Sequence, residues 1–259
     1  MLNSGGGAPM AEEVQPVKLQ PETLQAFESY MRDAEAAMER TLDGGAFLWS
    51  DADPKRAKLV GEGKIVAEFW PGKGPLKVPA GLIHDWIGAL KAPGATIQST
   101  LALIQDYNNH KNIYKPEVMD SKLISHNGNN FNIYLRIVKK KIITVVMDTD
   151  HDVHYFCLDS ARCGCSSYTT RTAEVDDAGK PKEKVQAPDT GYGFLWRLNT
   201  YWRFHERDGG VTMECRAISL TRDIPTVLKW IIDPMVRSLP KEALVNTLKA
   251  TRKALCGKG

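Results

Sequence analysis

The chain has 259 residues, 42% of them hydrophobic and 25% charged, with a formal net charge of +3. That length allows one large domain or one domain with an extension, and so mild a charge speaks against a nucleic acid partner. No apolar run approaches the ~20 residues of a spanning helix, so the chain has no transmembrane segment and its membrane role is limited to transient contact with a surface.

Residues 1–20, "MLNSGGGAPMAEEVQPVKLQ", lack the basic and apolar regions of a signal peptide and read as a disordered leader. The sequence as it stands is therefore soluble and cytoplasmic; a signal missing from its start would make it exported or periplasmic. Residues 21–80 form an N-terminal extension. Leu24, Phe27, Tyr30 and Met31 recur at helical spacing in its first half, and "AFLW" and "KIVAEFW" are short strands between Gly44 and Gly72. The Pro- and Gly-rich Pro71–Pro79 segment closes the extension.

From Gly81 to Cys256 the pattern is regular. Leu82–Leu90 is a strand, and Gly94-Ala95-Thr96 turns into a helix that runs to about Tyr107. Strands follow at 116–126, 130–138, 142–158, 162–175, 194–206 and 211–221. Asn127-Gly128 and Asp208-Gly209 supply tight hairpin turns, and Lys139-Lys140-Lys141 and Asp159-Ser160-Ala161 mark two more reversals. Asp176–Gly193 is a long exposed loop. The chain closes in a helix whose stripe is Leu244, Leu248 and Leu255, with Val245 beside it, and which Pro234 and Pro240 break or kink. Consecutive hairpins and one long terminal helix give an α+β, two-layer design.

The stretch "PGATIQSTLALIQDY", the broken "YNNHKNIYKPEV" leading into "MDSKLISHNG", and the ending "RDIPTVLKWIIDPMVRSLPKEALVNTLKATR" together resemble the START/polyketide-cyclase superfamily, also called SRPBCC or helix-grip proteins. The likeness spans roughly 81–256 and is greatest to an uncharacterised bacterial branch, some members of which carry export signals. It implies a curved antiparallel sheet wrapped around the long C-terminal helix. It also implies an apolar internal cavity, which in known relatives holds lipids, sterols, polyketides or plant hormones.

Alternation assigns the faces of the sheet. Phe131, Ile133, Leu135 and Ile137 share one face, joined by Ile143, Val145 and Met147. The same parity puts Thr149, His151, Val153, Tyr155 and Cys157 inside and sends Asp148, Asp150 and Asp152 to solvent. A turn near Ser160 pairs Thr149 with Arg171 and brings Arg171, Thr169 and Ser167 inward. The Asp208-Gly209 turn pairs Trp202 with Cys215 and Thr200 with Ala217, inside the apolar sets Trp196, Leu198, Trp202, Phe204 and Val211, Met213, Cys215, Ala217. Arg203 then faces Glu214 on the outer side, as a surface ion pair worth under ~1 kcal/mol. A bulge in the 142–158 strand would exchange inner and outer sets beyond it.

Eight residues make up the candidate ligand-binding set. Trp86, Trp196 and Trp202 supply apolar wall, and small Cys215 opposite Trp202 leaves space for either core packing or a ligand. His84, His151, Tyr155 and Arg171 are polar groups on an otherwise apolar face. Such groups cost free energy unless paired, so they form a structural network or orient a ligand's polar head.

The five cysteines read as free thiols. Cys163 and Cys165 share a strand face, but no second ligand pair completes a metal site. "DTDHD" lacks the glycine and glutamate that an EF-hand loop needs at its sixth and twelfth positions, and His151 and His154, three apart on a strand, point to opposite faces. No cofactor, metal or catalytic constellation is assigned. The leading reading is a module that binds a hydrophobic or amphipathic small molecule, lipid-like or polyketide-like, in the cavity between sheet and helix. The alternatives are a cyclase-, dehydratase- or hydrolase-type enzyme on the same scaffold and a structural or interaction protein with a filled cavity.

Overall fold

A computed structural model describes residues 16–42, 45–70, 74–140, 144–223 and 229–257, with the backbone alone over 229–237. Residues 1–15 of the expected leader lie outside these residues. So do the start of the Pro71–Pro79 segment, Lys141 and Ile143 of the lysine reversal, and the side chain of Pro234.

The strand β1 (Val17–Lys18) precedes helix α1 (Pro21–Leu42), a 3-10 turn (Trp49–Ala52) and α2 (Pro54–Gly61). Asp53 starts α2 by accepting from the backbone N–H groups of Lys55 and Arg56, with Pro54 at the first helical position. Strands β2 (Val66–Phe69), β3 (Leu76–Val78) and β4 (Gly81–Pro93) follow, then α3 (Ile97–Ile104), a 3-10 turn (Tyr107–Asn109) and α4 (His110–Ile113). Thr96 and Ser99 cap α3 reciprocally. Next come β5 (Val118–Asn127), β6 (Asn130–Lys140), β7 (Thr144–Cys157), β8 (Arg162–Asp176), β9 (Lys184–Val185), β10 (Thr190–Gly191), β11 (Arg197–Arg207), β12 (Gly210–Arg222) and α5 (Lys229–Cys256).

The large sheet is antiparallel, with the order β2-β4-β12-β11-β8-β7-β6-β5; β3 adds to β4 and β9 to β8. Helix α5 runs through both prolines as one 28-residue helix and lies on β4 and β12. This is the α+β helix-grip arrangement, a curved sheet holding a C-terminal helix. Gly88 on β4 marks the crossing: a Cβ there would come 2.9 Å from Leu248 Cδ1, 3.2 Å from Val66 O and 3.3 Å from Leu244 Cδ2. Leu244 and Leu248 are buried at that spot. Gly88→Ala should therefore cost about 1–3 kcal/mol by overpacking, and urea unfolding with no change in midpoint would contradict the close crossing.

The hairpin registers agree with the alternation at Trp202↔Cys215, Thr200↔Ala217 and Arg203↔Glu214. Three features of the alternation require correction. A register shift falls between Asp150 and His151, where Asp150 pairs with Arg171 while His151 pairs with Thr169. The extra residue is on β8, not on β7. Thr169 explains it, because its side-chain oxygen donates to Leu198 O at 2.6 Å and accepts from Leu198 N at 2.9 Å, so a side chain replaces a rung of the ladder. Arg171 therefore turns to the outer face, where it meets Asp150 at 3.3 Å.

The outer face is a solvent face only in part, Asp152 being exposed on it. Helix α1 covers another part with Phe27, Met31 and Ala34, packed on Ile83, Ile218, Leu220 and Trp196. Beneath this cover Asp85 holds Arg216 at 2.6 Å, both nearly inaccessible, and Tyr30 donates to Asp85 at 2.7 Å. Arg203 and Glu214, expected as a surface pair, are 9% and 4% exposed. Asp148, expected in solvent, is buried and takes a bidentate grip from Arg136, with bonds of 2.7 and 3.0 Å. Finally, Cys157 and Cys163 are joined in a disulfide across β7 and β8, so only Cys165, Cys215 and Cys256 are free.

Candidate functional site

Because α5 rests on the β4–β12 half of the sheet, a gap remains between it and the half built from β6, β7, β8 and β11. That gap is a cavity of about 1180 Å³. Its sheet wall carries Ile133, Leu135, Met147, Leu198, Trp202 and Ala217, and its helix wall Leu239, Ala243, Leu244 and Ala250. The inner parity of the strands and one face of α5 thus meet at one apolar space, to which Leu244 alone of the Leu244, Leu248 and Leu255 stripe contributes.

Two carboxylates tie its margins. Glu174 on β8 is buried and accepts from the backbone N–H groups of Tyr192 (2.8 Å), Gly193 (2.9 Å) and Phe194 (3.4 Å). Burial raises its pKa against the lowering effect of those amides. The loop can wrap this closely because Gly193 has φ +75°, and a Cβ there would sit 2.5 Å from Arg222 Cβ. On the flank, Glu117 takes an amide hydrogen from Asn246 of α5 at 2.7 Å and pairs with Lys139 of β6, so it ties the helix to the far half of the sheet.

At the α3 end the chain folds back from Leu101 through His110 into β5. Asn108 accepts from the backbone of Leu123, and the Lys111 amide donates to Ser121 Oγ at 2.9 Å. The polar bend is thus knitted to the first strand it leads into. His110 bonds Ile104 O at 2.9 Å, and burial lowers its pKa to about 4. Tyr107 faces the cavity, and its hydroxyl lies 2.6 Å from that of Tyr155. Burial raises the pKa of both phenols, so both stay protonated.

Of the eight residues in the sequence-derived set, Trp202 and Cys215 line the cavity. Cys165, on the other side of Trp202 in register, lines it too. Burial pushes the Cys165 thiol up to about 12 and that of Cys215 well above its usual value, so both present neutral, apolar surface. Tyr155 stands one hydrogen bond back, through Tyr107, and His84 likewise through Thr221, 3.1 Å from its Nε2. His151 is enclosed: its Nε2 is 2.9 Å from Thr149 Oγ1, and burial lowers its pKa to about 4. Trp86 stacks on Phe69 with ring centroids 3.7 Å apart, under Lys241. Trp196 belongs to the layer beneath α1, and Arg171 to the outer face.

Glu174 and Glu117 were missed, since a carboxylate whose partners are distant in sequence leaves no local signature, and Tyr107 was read only as the end of its helix. Among the described residues no three His, Cys, Asp or Glu side chains converge on a metal-sized site, and no helix is long and apolar enough to cross a membrane.

No protein-family model matches the chain, and no curated protein matches it. Among solved structures it is similar to a STAR-related lipid transfer protein from Xanthomonas axonopodis, at 18% identity and a TM-score of 0.44, covering 71% of this chain and 99% of that one. Human STARD10 gives 11% identity and a TM-score of 0.44 over 70% and 73% of the two chains. The Zhui aromatase/cyclase from Streptomyces sp. R1128 gives 10% and 0.44 over 68% and 93%.

Proposed function

We propose that this protein binds a hydrophobic or amphipathic small molecule, lipid-like or polyketide-like, in the cavity between the sheet and α5. The observation that carries this reading is an apolar-walled space of about 1180 Å³ between the sheet and α5. Protein interiors pack to a density of about 0.75 with few voids larger than water, and ligand pockets are mostly apolar spaces of roughly 300–1,000 Å³ with a few polar groups. A cavity of this size is more than a packing fault, and a protein whose cavity were filled by its own side chains would not keep it.

In this reading Trp202 and Cys215 form wall. Tyr155 and His84 hold Tyr107 and Thr221, which touch the guest. His151 and Trp86 support the sheet behind that wall.

Native mass spectrometry of the purified protein should show a co-purifying lipid-like mass. Nile red, a neutral apolar dye, should bind, and Ala217→Trp, which projects an indole into the space, should weaken that binding more than tenfold. Dye binding unaffected by Ala217→Trp, with no co-purifying molecule, would falsify the reading.

A further inference from the structure

We infer that the guest carries an uncharged hydrogen-bonding group, a hydroxyl or a carbonyl, partway along its body; this rests on the cavity reading above. Three hydroxyls on the cavity wall carry the inference: Ser167 of β8, Thr200 of β11 and Ser219 of β12. Thr200 stands directly opposite Ser167 in the β8–β11 register. It also stands opposite Ala217 in the β11–β12 register, two residues from Ser219 on the same face. The three therefore form one diagonal across three neighbouring strands, with the spacing of adjacent cross-strand and diagonal pairs, about 5 and 7–8 Å.

Several other hydroxyls on or just behind this wall have protein partners, while Thr144, Tyr192 and Thr247 at its margins and on α5 have none among the described residues. Thr169 exchanges bonds with Leu198, Thr221 meets His84, Tyr107 meets Tyr155, and Tyr114 meets Thr251. The side chains of Ser167, Thr200 and Ser219 have no hydrogen-bond partner among the described residues. Ser219 is nonetheless only 6% exposed. Buried hydroxyls are normally satisfied, and apolar residues at these positions would have continued the wall. Three hydroxyls in one line, Ser219 buried and Ser167 and Thr200 half-buried, form a polar stripe on the cavity wall facing the guest.

The stripe also defines the charge of what it meets. The carboxylates that reach the cavity are engaged at its margins, Glu174 by backbone amides, Glu117 by Lys139 and Asn246, Asp176 by Gln186, Asp177 by Lys180 and Asp223 by Lys77. Of the cations that also reach it, Lys115, Lys249 and Lys253 are exposed side chains, while Lys139 is paired with Glu117 and Arg222 is engaged elsewhere. The diagonal itself offers hydroxyls alone, which pair with a neutral group; an anion held there would be buried without a counter-charge.

Displacement of Nile red from the full-length protein tests this with methyl octadecanoate and its 7-, 10- and 12-hydroxy derivatives. At least one hydroxy ester should displace the dye at about fivefold lower concentration than the parent ester, the worth of one added hydrogen bond. In a cavity without partners the added hydroxyl would weaken binding instead, because its desolvation goes uncompensated. The triple variant Ser167→Ala/Thr200→Val/Ser219→Ala should lose the preference, read within that variant as the ratio of the displacing concentrations of the hydroxy and parent esters. Thr200→Val alone, at the centre of the diagonal, should at least halve it and serves if the triple variant does not fold. A wild type that binds every hydroxy ester more weakly than the parent, or a preference that survives in these variants, overturns the inference while leaving the cavity reading intact. Failure of Nile red to bind the wild type overturns the cavity reading and this inference with it.

Discussion

Arg203→Ala should cost the fold about 3–5 kcal/mol, the penalty for removing one partner from a buried charged network. The Arg203 guanidinium donates to Thr41 Oγ1 at 2.7 Å, to Phe47 O at 2.8 Å and to Met38 O at 2.8 Å. It thus closes the C-terminal end of α1 and the segment after it onto the sheet. Its cross-strand neighbour is Glu214, fully enclosed beneath the same cover. Truncation leaves two carbonyls, a hydroxyl and an acid without their cation, in a region that water cannot re-enter without lifting α1. Typical domain stabilities are about 5–15 kcal/mol, so the variant should unfold at a much lower urea concentration. Pairing it with Glu214→Gln removes the acid that faces Arg203, and the double variant should be less destabilised than the sum of the two single changes. A loss below about 1 kcal/mol, the level of an exposed ion pair, would show that the cover over Arg203 is open in solution.

The contrast between the expected surface pair and the buried one shows where local pattern stops being informative. Register was legible: the Asp208-Gly209 turn and strict alternation gave the true partners of Trp202, Thr200 and Arg203. Alternation assigns a face but does not say what covers it. One signal for the cover was present in "LIHDWIGALKA" of β4, which is apolar on both parities, as strands buried on two sides are. Ile83 and Ala89 face one way and Trp86 and Leu90 the other, and all four are buried. The β8 bulge had no such signal. It lies in the run Thr169-Thr170-Arg171, where either register leaves polar side chains on both faces, and the deciding bond runs from Thr169 to Leu198, 29 residues away. That single slip put Arg171 outside. The disulfide was hidden for a similar reason, because odd cysteine counts say nothing about which two lie opposite across a hairpin.

Between pH 5 and 6.5 the stability of this protein should be the difference of two opposed proton linkages, which single variants can separate. Burial raises the Glu214 pKa to about 7, against the lowering effect of Arg203. In the unfolded chain glutamate titrates near 4.3. Across that window the folded state holds a proton that the unfolded state has released, so this group makes stability fall as pH rises, by about 4 kcal/mol over its whole range. Glu174 is raised by burial too and acts in the same direction. His110 and His151 are the reverse case. Burial lowers both to about 4, while unfolded histidine titrates near 6.5. Their stabilisation is complete above pH 6.5 and is lost as pH falls toward 4, by about 3 kcal/mol each, and His205 shifts the same way. Carboxylates that ion pairing lowers, such as Asp120 and Asp159, act only below about pH 4 and stay out of the window. Wild type should therefore lose stability modestly on acidification from 6.5 to 5, the histidines outweighing the acids. Glu214→Gln removes the opposing linkage and should steepen that loss, whereas His151→Asn should flatten it. Urea denaturation at pH 5, 5.75 and 6.5 reads both slopes. Three parallel lines would mean that neither group is as enclosed as the packing of α1 over the sheet and of the inner strands around His151 requires.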